Sequence, residues 1–105
     1  MRFKLNNGEK IIKEGPANHF KGIEAVGGKL YLTNHRIVFL SHDMNVQNHL
    51  LSVPYSEIVH VDTRNTLLFI PNGFYIQNRD NSIEKFVTYG REEWIQVIKG
   101  KIDDN

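Results

Sequence analysis

Short apolar stretches alternate with turn residues along most of this chain. Runs rich in β-branched and aromatic residues recur about every 8 to 12 positions, a spacing typical of an antiparallel sandwich or barrel. Glycine, proline and asparagine separate the runs, and these residues adopt the backbone conformations that tight turns require. The stretches predicted as extended strand segments are 8–14, 18–26, 29–32, 36–40, 50–53, 58–63, 67–70, 74–77 and 83–87.

The turns between these stretches are predicted from their residue types. Gly15-Pro16 and Gly27-Gly28 are expected to end the first two strands. Residues 33–35 are expected to close a hairpin, because asparagine tolerates the left-handed backbone of a tight loop. Residues 71–73 and 78–81 are the remaining predicted turns, the first with proline fixing φ and glycine supplying a positive φ.

The hydrophobic period changes at the C-terminal end. In 91–102, Trp94, Ile98 and Ile102 recur at i, i+4 and i+8, which predicts one apolar face of a helix. Acidic residues in the first turn and basic residues in the last suit the helix dipole, and Gly100 is expected to end the helix. A helix this short is unstable alone in water, so we expect its apolar face to close the open end of a small β barrel.

The segment from Gly28 to Phe39, GKLYLTNHRIVF, resembles the signature of the GRAM domain family. A glycine, a basic residue and Leu-Tyr-Leu-Thr-Asn lead there into a basic residue and an apolar strand, and the resemblance spans about residues 8–100. It implies a pleckstrin-homology-like, mainly β fold: an antiparallel barrel or sandwich of seven or eight strands capped by one C-terminal helix. Residues 1–105 are expected to form one such domain, with a core of about 8–102. The signature itself is interpreted as structural, without chemistry of its own.

Composition narrows the classes of function. Lysine and arginine total 13 and aspartate and glutamate 12, a net charge of +1 that argues against a nucleic-acid binder acting through bulk charge. Absence of cysteine excludes thiolate metal sites and thiol nucleophiles. The first residues contain no apolar stretch of signal-peptide length, and the longest apolar run falls far short of the roughly 20 residues of a membrane-spanning helix. We therefore expect a cytoplasmic protein, peripheral to a membrane if lipid is its ligand.

The sequence offers little evidence for a catalytic or metal site. Residues 22–29 come close to a phosphate-binding loop, but the spacing is one residue off and a strand follows where a helix is needed. His35, His42 and His49 are spaced at intervals of seven, which places the first two on opposite faces of a strand. Because no nucleophile elbow or paired carboxylates are evident, we predict a non-enzymatic protein without catalytic residues, metal or cofactor.

A basic group is the strongest candidate ligand site. Pleckstrin-like domains that bind phosphoinositides use basic side chains at the open mouth between their first strands, so the resemblance implies contact with anionic membrane lipid. The candidate residues are Lys13, His19, Lys21, Lys29 and Arg36. The basic signature of the lipid-binding domains is incomplete, because Ile23 stands where it has an arginine. A solvated sheet face is the alternative interpretation.

The second candidate is an apolar run, Leu67, Leu68, Phe69 and Ile70, followed by Pro71. Four consecutive apolar residues do not alternate, so a strand here is covered on both faces, forms an edge for self-association, or belongs to a loop that dips into a bilayer. Two functions therefore remain open. One is a lipid-binding module, and the other is a protein–protein interaction or self-assembly module that uses exposed strand edges.

Overall fold

The structure, a computed structural model, describes residues 3–42, 50–66 and 70–104. Within them, seven strands precede one helix, with a single turn of 3₁₀ helix at Tyr55–Glu57 between the fourth and fifth strands. The strands are β1 (Ile11–Lys21), β2 (Glu24–Thr33), β3 (Arg36–Ser41), β4 (Leu50–Pro54), β5 (Ile58–Thr66), β6 (Ile70–Asn78) and β7 (Ile83–Thr88), and the helix is α1 (Arg91–Asp103).

The seven strands form one antiparallel sheet in the order β4-β3-β2-β1-β7-β6-β5. β1 joins its two halves, because it pairs with β2 from Ile11 to Lys21 but with β7 only from Ala17 to His19. β4 and β5 lie at the two ends of this order, so the sheet is open. The prediction of an antiparallel sandwich with a C-terminal helix is confirmed, whereas the closed barrel expected as its alternative is not formed.

α1 packs chiefly against β5, with further contacts to β6 and the 3₁₀ turn. Trp94, Ile95 and Ile98 are buried in the main core, together with residues of both halves of the sheet. The indole of Trp94 lies beneath β1, where a β-carbon at Gly15 would be 3.4 Å from its Cζ2 atom, and its Nε1 donates a hydrogen bond to the carbonyl of Tyr89. Burial of three large side chains stabilises the fold by several kcal/mol, at roughly 1.5–3 kcal/mol each. The predicted burial of the apolar helix face is confirmed, whereas the barrel whose open end it was expected to close is not formed.

Two predicted turns lie inside strands. β1 continues through Gly15-Pro16, and β2 continues through Gly27-Gly28. Proline is tolerated in β1 because the β1–β7 ladder ends beside it, and the Pro16 carbonyl accepts a hydrogen bond from the hydroxyl of Thr88. The actual turn is at residues 22–23, so the predicted segments 8–14 and 18–26 were wrong in extent.

Other boundaries also differ from the prediction. Residues 71–73 belong to β6 instead of forming a turn, and Gly73 is needed because a β-carbon there would be 2.6 Å from the Arg64 carbonyl oxygen. Gly100 lies within α1, which continues to Asp103. Ile70 begins β6, whereas Leu67, Leu68 and Phe69 lie outside the described residues. The hairpin at 33–35 and the turn at 78–81 are confirmed.

Gly28 and Gly100 provide a test of the packing. A β-carbon at Gly28 would overlap the Leu40 carbonyl oxygen and lie 2.6 Å from Cζ of Phe39, whereas one at Gly100 meets nothing within 4 Å. We expect Gly28→Ala to lower the free energy of unfolding by about 1–3 kcal/mol or more, and Gly100→Ala to raise it by up to about 1 kcal/mol. Urea denaturation measures both. Equal effects of the two substitutions would contradict the described β2–β3 packing.

Candidate functional site

The five basic residues predicted to form one site are spread over the molecule. Lys13 pairs with Leu32 and Lys21 with Glu24, at opposite ends of the β1–β2 ladder. Eight residues of strand correspond to about 26 Å. Arg36 begins β3 at the same end as Lys13, away from Lys21. The group therefore does not converge on a single headgroup.

Three members of the group already have acidic partners. The Nζ of Lys13 lies 2.9 Å from Oε1 of Glu93 and 4.8 Å from the centroid of the Trp94 ring. Lys29 lies 3.6 Å from Glu14, and Arg36 lies 2.8 Å from Glu9. These pairs reduce the positive field that Lys13, Lys29 and Arg36 present to an external anion.

His19, a member of the predicted basic group, lies buried in the fold and not on its surface. It is only 3% exposed, because it shares the inner face of β1 with Ala17. Its ring lies 5.4 Å from that of Phe39 and 5.1 Å from that of Phe86, centroid to centroid. Its Nε2 lies 2.8 Å from Oε1 of Glu84, which satisfies the buried nitrogen. Side chains alternate between the two faces of a strand, and this rule would have placed His19 on the buried face. The turn predicted at Gly15-Pro16 divided β1 and so prevented its use.

The residues at the β1–β2 turn are exposed, so a ligand could reach them. Gly22 has φ of +64°, as tight two-residue hairpin loops require. Ile23 follows it with a side chain that is 100% exposed. Lys21 flanks the turn and has no ion-pair partner among residues 3–42, 50–66 and 70–104. We call Lys21, Gly22 and Ile23 the hairpin tip.

A buried ion pair holds the N-terminal segment to the β2–β3 turn. The fully buried carboxylate of Glu9 accepts hydrogen bonds from Nε and Nη2 of Arg36 at 2.8 and 3.1 Å. It also accepts one from the Thr33 hydroxyl at 2.6 Å and one from the Asn6 backbone N–H at 2.8 Å. Together Glu9, Thr33, Arg36 and the Asn6 amide form what we call the Glu9 lock.

Neighbouring contacts extend the lock across the outer face of the sheet. The side chain of Asn34 accepts from the Lys10 backbone N–H at 2.7 Å and donates to the Gly8 carbonyl at 3.1 Å. Phe3 packs edge-on against Tyr31, with ring centroids 4.9 Å apart. The segment before β1 therefore covers a second apolar cluster on the side of the sheet opposite the main core. Sequence reasoning missed Glu9, whose partner Arg36 is 27 positions away and outside any local spacing rule.

The comparisons with known proteins agree with this architecture. The family profile described as "GRAM domain" matches residues 1–99.

This chain belongs to the GRAM domain family.

The expected resemblance is thus confirmed, and the signature of this GRAM domain has a structural explanation. Thr33 and Arg36 of the signature bind the buried carboxylate of Glu9. Asn34 of the signature bonds the backbone of Gly8 and Lys10, the two neighbours of Glu9.

Solved structures similar to this GRAM domain confirm the pleckstrin-homology-like fold. The C-terminal domain of an unknown protein from Leishmania infantum has a TM-score of 0.79 and 16% identity, over 91% of this chain and 86% of that one. The Vps36 N-terminal PH domain has a TM-score of 0.77 and 14% identity, over 96% and 84%. The N-terminal PH domain of human ARAP2 has a TM-score of 0.69 and 14% identity, over 88% and 79%. At these identities the likeness concerns the fold alone. No curated protein sequence matches the chain.

Domains of this family and fold are binding modules for membrane lipids or proteins, and a non-catalytic binding module fits this GRAM domain. Within residues 3–42, 50–66 and 70–104, no three histidine or carboxylate side chains are grouped so that they could hold a metal ion. In the same part of the chain, no helix has the length and hydrophobicity needed to span a bilayer.

The Glu9 lock makes the stability of this GRAM domain depend on pH. Hydrogen bonds from Arg36, then from Thr33 and the Asn6 amide, outweigh the effect of burial and lower the pKa of Glu9 from 4.5 to about 2. A lowered carboxyl pKa stabilises the folded state fully above the unfolded-state value, and this stabilisation is lost as the pH falls through the folded-state value. The contribution of Glu9 is therefore expected to disappear between about pH 4.5 and about pH 2.

Glu9→Gln tests this dependence. At neutral pH we expect it to lower the free energy of unfolding by about 3 kcal/mol, because Arg36 loses its charged partner. The difference between wild type and variant should shrink as the pH falls below about 4.5. Urea denaturation over a pH series measures it. Glu14→Gln, which removes an exposed pair, is the control and should cost less than about 1 kcal/mol. A difference for Glu9→Gln that does not vary with pH would refute the assignment.

Proposed function

We propose that this GRAM domain is a non-catalytic module that attaches peripherally to anionic membrane surfaces through its hairpin tip. The observation that carries the proposal is the side chain of Ile23, fully exposed at the end of a two-residue turn. An isoleucine in this position contributes nothing to the core, whereas its transfer into a membrane interface is favourable. Lys21 beside it supplies a cation that forms no ion pair within the described residues, and Glu24 lies opposite it in the β1–β2 ladder.

The charge distribution supports this location over the dispersed basic group. Lys13, Lys29 and Arg36 have carboxylate partners in the fold, and His19 is buried against Glu84. Lys21 is the exposed member of the predicted group for which no such partner is found in the described ranges. Attachment through the tip fits a cytoplasmic protein that reaches the membrane only at its surface.

The titratable groups support binding rather than catalysis. The Glu9 carboxyl, with the most strongly lowered pKa, is enclosed in the lock and not in a cleft. Burial raises the pKa of Tyr55, whose hydroxyl donates to the Thr33 carbonyl and so belongs to the scaffold. A hydrogen bond from the backbone N–H of Thr63 lowers the pKa of Asp62, and hydrogen bonds from the hydroxyl and backbone N–H of Ser82 lower the pKa of Asp80. Each of these shifts has a local structural cause and none requires a reacting substrate.

The expected attachment is weak. Inserting one isoleucine yields roughly 1.5–3 kcal/mol, and one lysine near an anionic surface adds about 1 kcal/mol. A total of about 2.5–4 kcal/mol corresponds to a dissociation constant of roughly 1–15 mM. The tip alone therefore gives reversible contact, and stable anchoring needs a second interaction.

Protein binding through exposed strand edges is the other candidate, and each edge strand has a feature that opposes strand addition. β4 has five residues and ends at Pro54, which has no N–H to donate. On β5, the carboxylate of Asp62 accepts from the backbone N–H of Thr63 at 2.7 Å, so an added strand cannot use this donor. Short edges, proline and edge charges are features that oppose strand addition.

Cosedimentation with vesicles tests the proposed attachment. The protein is expected to sediment at low salt with vesicles of phosphatidylcholine and phosphatidylserine in equal parts, and less with phosphatidylcholine alone. Ile23→Ser and Lys21→Glu should each reduce the bound fraction, because one removes the inserted side chain and the other reverses the charge.

Two matched controls lie near the opposite end of β1. Ile12→Ser removes another isoleucine that is 46% exposed, and Lys10→Glu reverses another exposed lysine. Neither should change sedimentation. Absence of sedimentation by the wild type at low salt, or equal losses in the tip and control variants, would refute the proposal.

A further inference from the structure

A cleft of about 390 Å³ crosses β1 where this strand lies between β2 and β7. It is separate from the hairpin tip, and its size falls within the range of small-ligand sites. Asn18 lies at its centre, because it pairs with Gly27 of β2 on one side and with Val87 of β7 on the other. The described residues that line the cleft are Pro16, Ala17, Asn18, Gly27, Gly28, His42, Asn72, Val87, Thr88 and Tyr89.

The two glycines of β2, Gly27 and Gly28, differ in how much space a side chain would have. Gly28 is required by packing, because a β-carbon there would overlap the Leu40 carbonyl oxygen. Gly27 has no such constraint: a β-carbon would lie 3.3 Å from Oδ1 of Asn18 and 3.8 Å from Cδ2 of His42, and its φ is not in the left-handed region. The missing side chain of Gly27 therefore leaves open the floor of the cleft between Asn18 and His42.

Asn18 and His42 bring polar side chains to this floor, and Pro16, Ala17 and Val87 add apolar surface to the cleft. The carboxamide of Asn18 and the imidazole of His42 have no hydrogen-bond partner among the described residues. Tyr89 adds an aromatic ring that is 89% exposed, and its backbone is fixed by the hydrogen bond from Trp94. No lysine, arginine, aspartate or glutamate is among the described residues that line the cleft.

We propose that this cleft binds a neutral polyhydroxylated ring of the size of a hexose. A carboxamide both donates and accepts, so Asn18 can pair with a ring hydroxyl in either sense, and His42 offers a further polar contact. The exposed ring of Tyr89 provides a flat apolar surface for the C–H face of such a ring. The described residues that line the cleft include no lysine or arginine to form an ion pair with a phosphate, which favours a neutral ring over an inositol phosphate.

The hexose can come from a free saccharide or from the headgroup of a glycolipid. A glycolipid source would supply the second membrane contact that the weak hairpin tip needs, whereas a free saccharide would not. The inference does not depend on the proposed membrane attachment, because none of the cleft residues belongs to the tip. Failure of one proposal therefore leaves the other intact.

Titration of the backbone amide signals by NMR tests the cleft directly. With methyl glucoside and methyl galactoside as probes, we expect saturable shifts at Asn18, Gly27 and Tyr89 for at least one of them. Asn18→Ala and Gly27→Ala should weaken this binding about tenfold, which corresponds to about 1.4 kcal/mol. Gln96→Ala, which removes an exposed carboxamide from α1, is the matched control and should leave the affinity unchanged.

A sedimentation experiment distinguishes a glycolipid headgroup from a free saccharide as the source of the hexose. Sedimentation with phosphatidylcholine vesicles containing glucosyl-diacylglycerol, lost in Asn18→Ala, assigns the headgroup. Shifts with the free glycosides but no such sedimentation assign a free saccharide. No saturable shift at the cleft with either glycoside, equal binding by the Asn18→Ala and Gly27→Ala variants, or tighter binding of inositol 1-phosphate at the same residues would each overturn the proposal.

Discussion

The carboxylate of Glu9 is the interaction on which the rest of the structure depends. Burying an ionised carboxylate is costly, and here the cost is offset by hydrogen bonds from Arg36, the Thr33 hydroxyl and the Asn6 amide. These bonds fix the segment before β1 against the turn between β2 and β3. Through Phe3 that segment covers the apolar cluster around Tyr31 on the outer side of the sheet, so the buried charge holds this cover in place.

Contacts within the fold also limit which basic residues are available to a ligand. Most of the predicted basic site is used internally: Arg36 belongs to the lock, Lys13 covers Trp94 beside Glu93, and His19 lies between two phenylalanine rings. What the scaffold leaves available is a hairpin tip with one apolar and one cationic side chain, together with a cleft across β1. The described lining of that cleft has no lysine, arginine, aspartate or glutamate. Neither region resembles the converging basic pocket that the family resemblance had suggested.

The sequence predicted those features that depend on neighbouring residues. The hairpin at 33–35, the turn at 78–81 and the helix with Trp94 and Ile98 on one face all follow from short-range patterns and are confirmed. Gly15-Pro16 and Gly27-Gly28 were misassigned as turns, because their places in the sheet depend on contacts with Thr88 and Leu40 that lie far along the chain. The contacts of Glu9 and the cleft across β1 likewise depend on residues that are distant in the sequence, and no local sequence pattern indicates them.

A double-mutant cycle on Glu9 and Arg36 tests the central claim most directly. The free energy of unfolding would be measured for the wild type, Glu9→Gln, Arg36→Met and the double variant at neutral pH. If the lock holds the scaffold together, the two substitutions are strongly coupled, by about 2 kcal/mol or more, and the double variant is much less destabilised than the sum of the single ones. Additive effects, with a coupling below about 0.5 kcal/mol, would contradict the account.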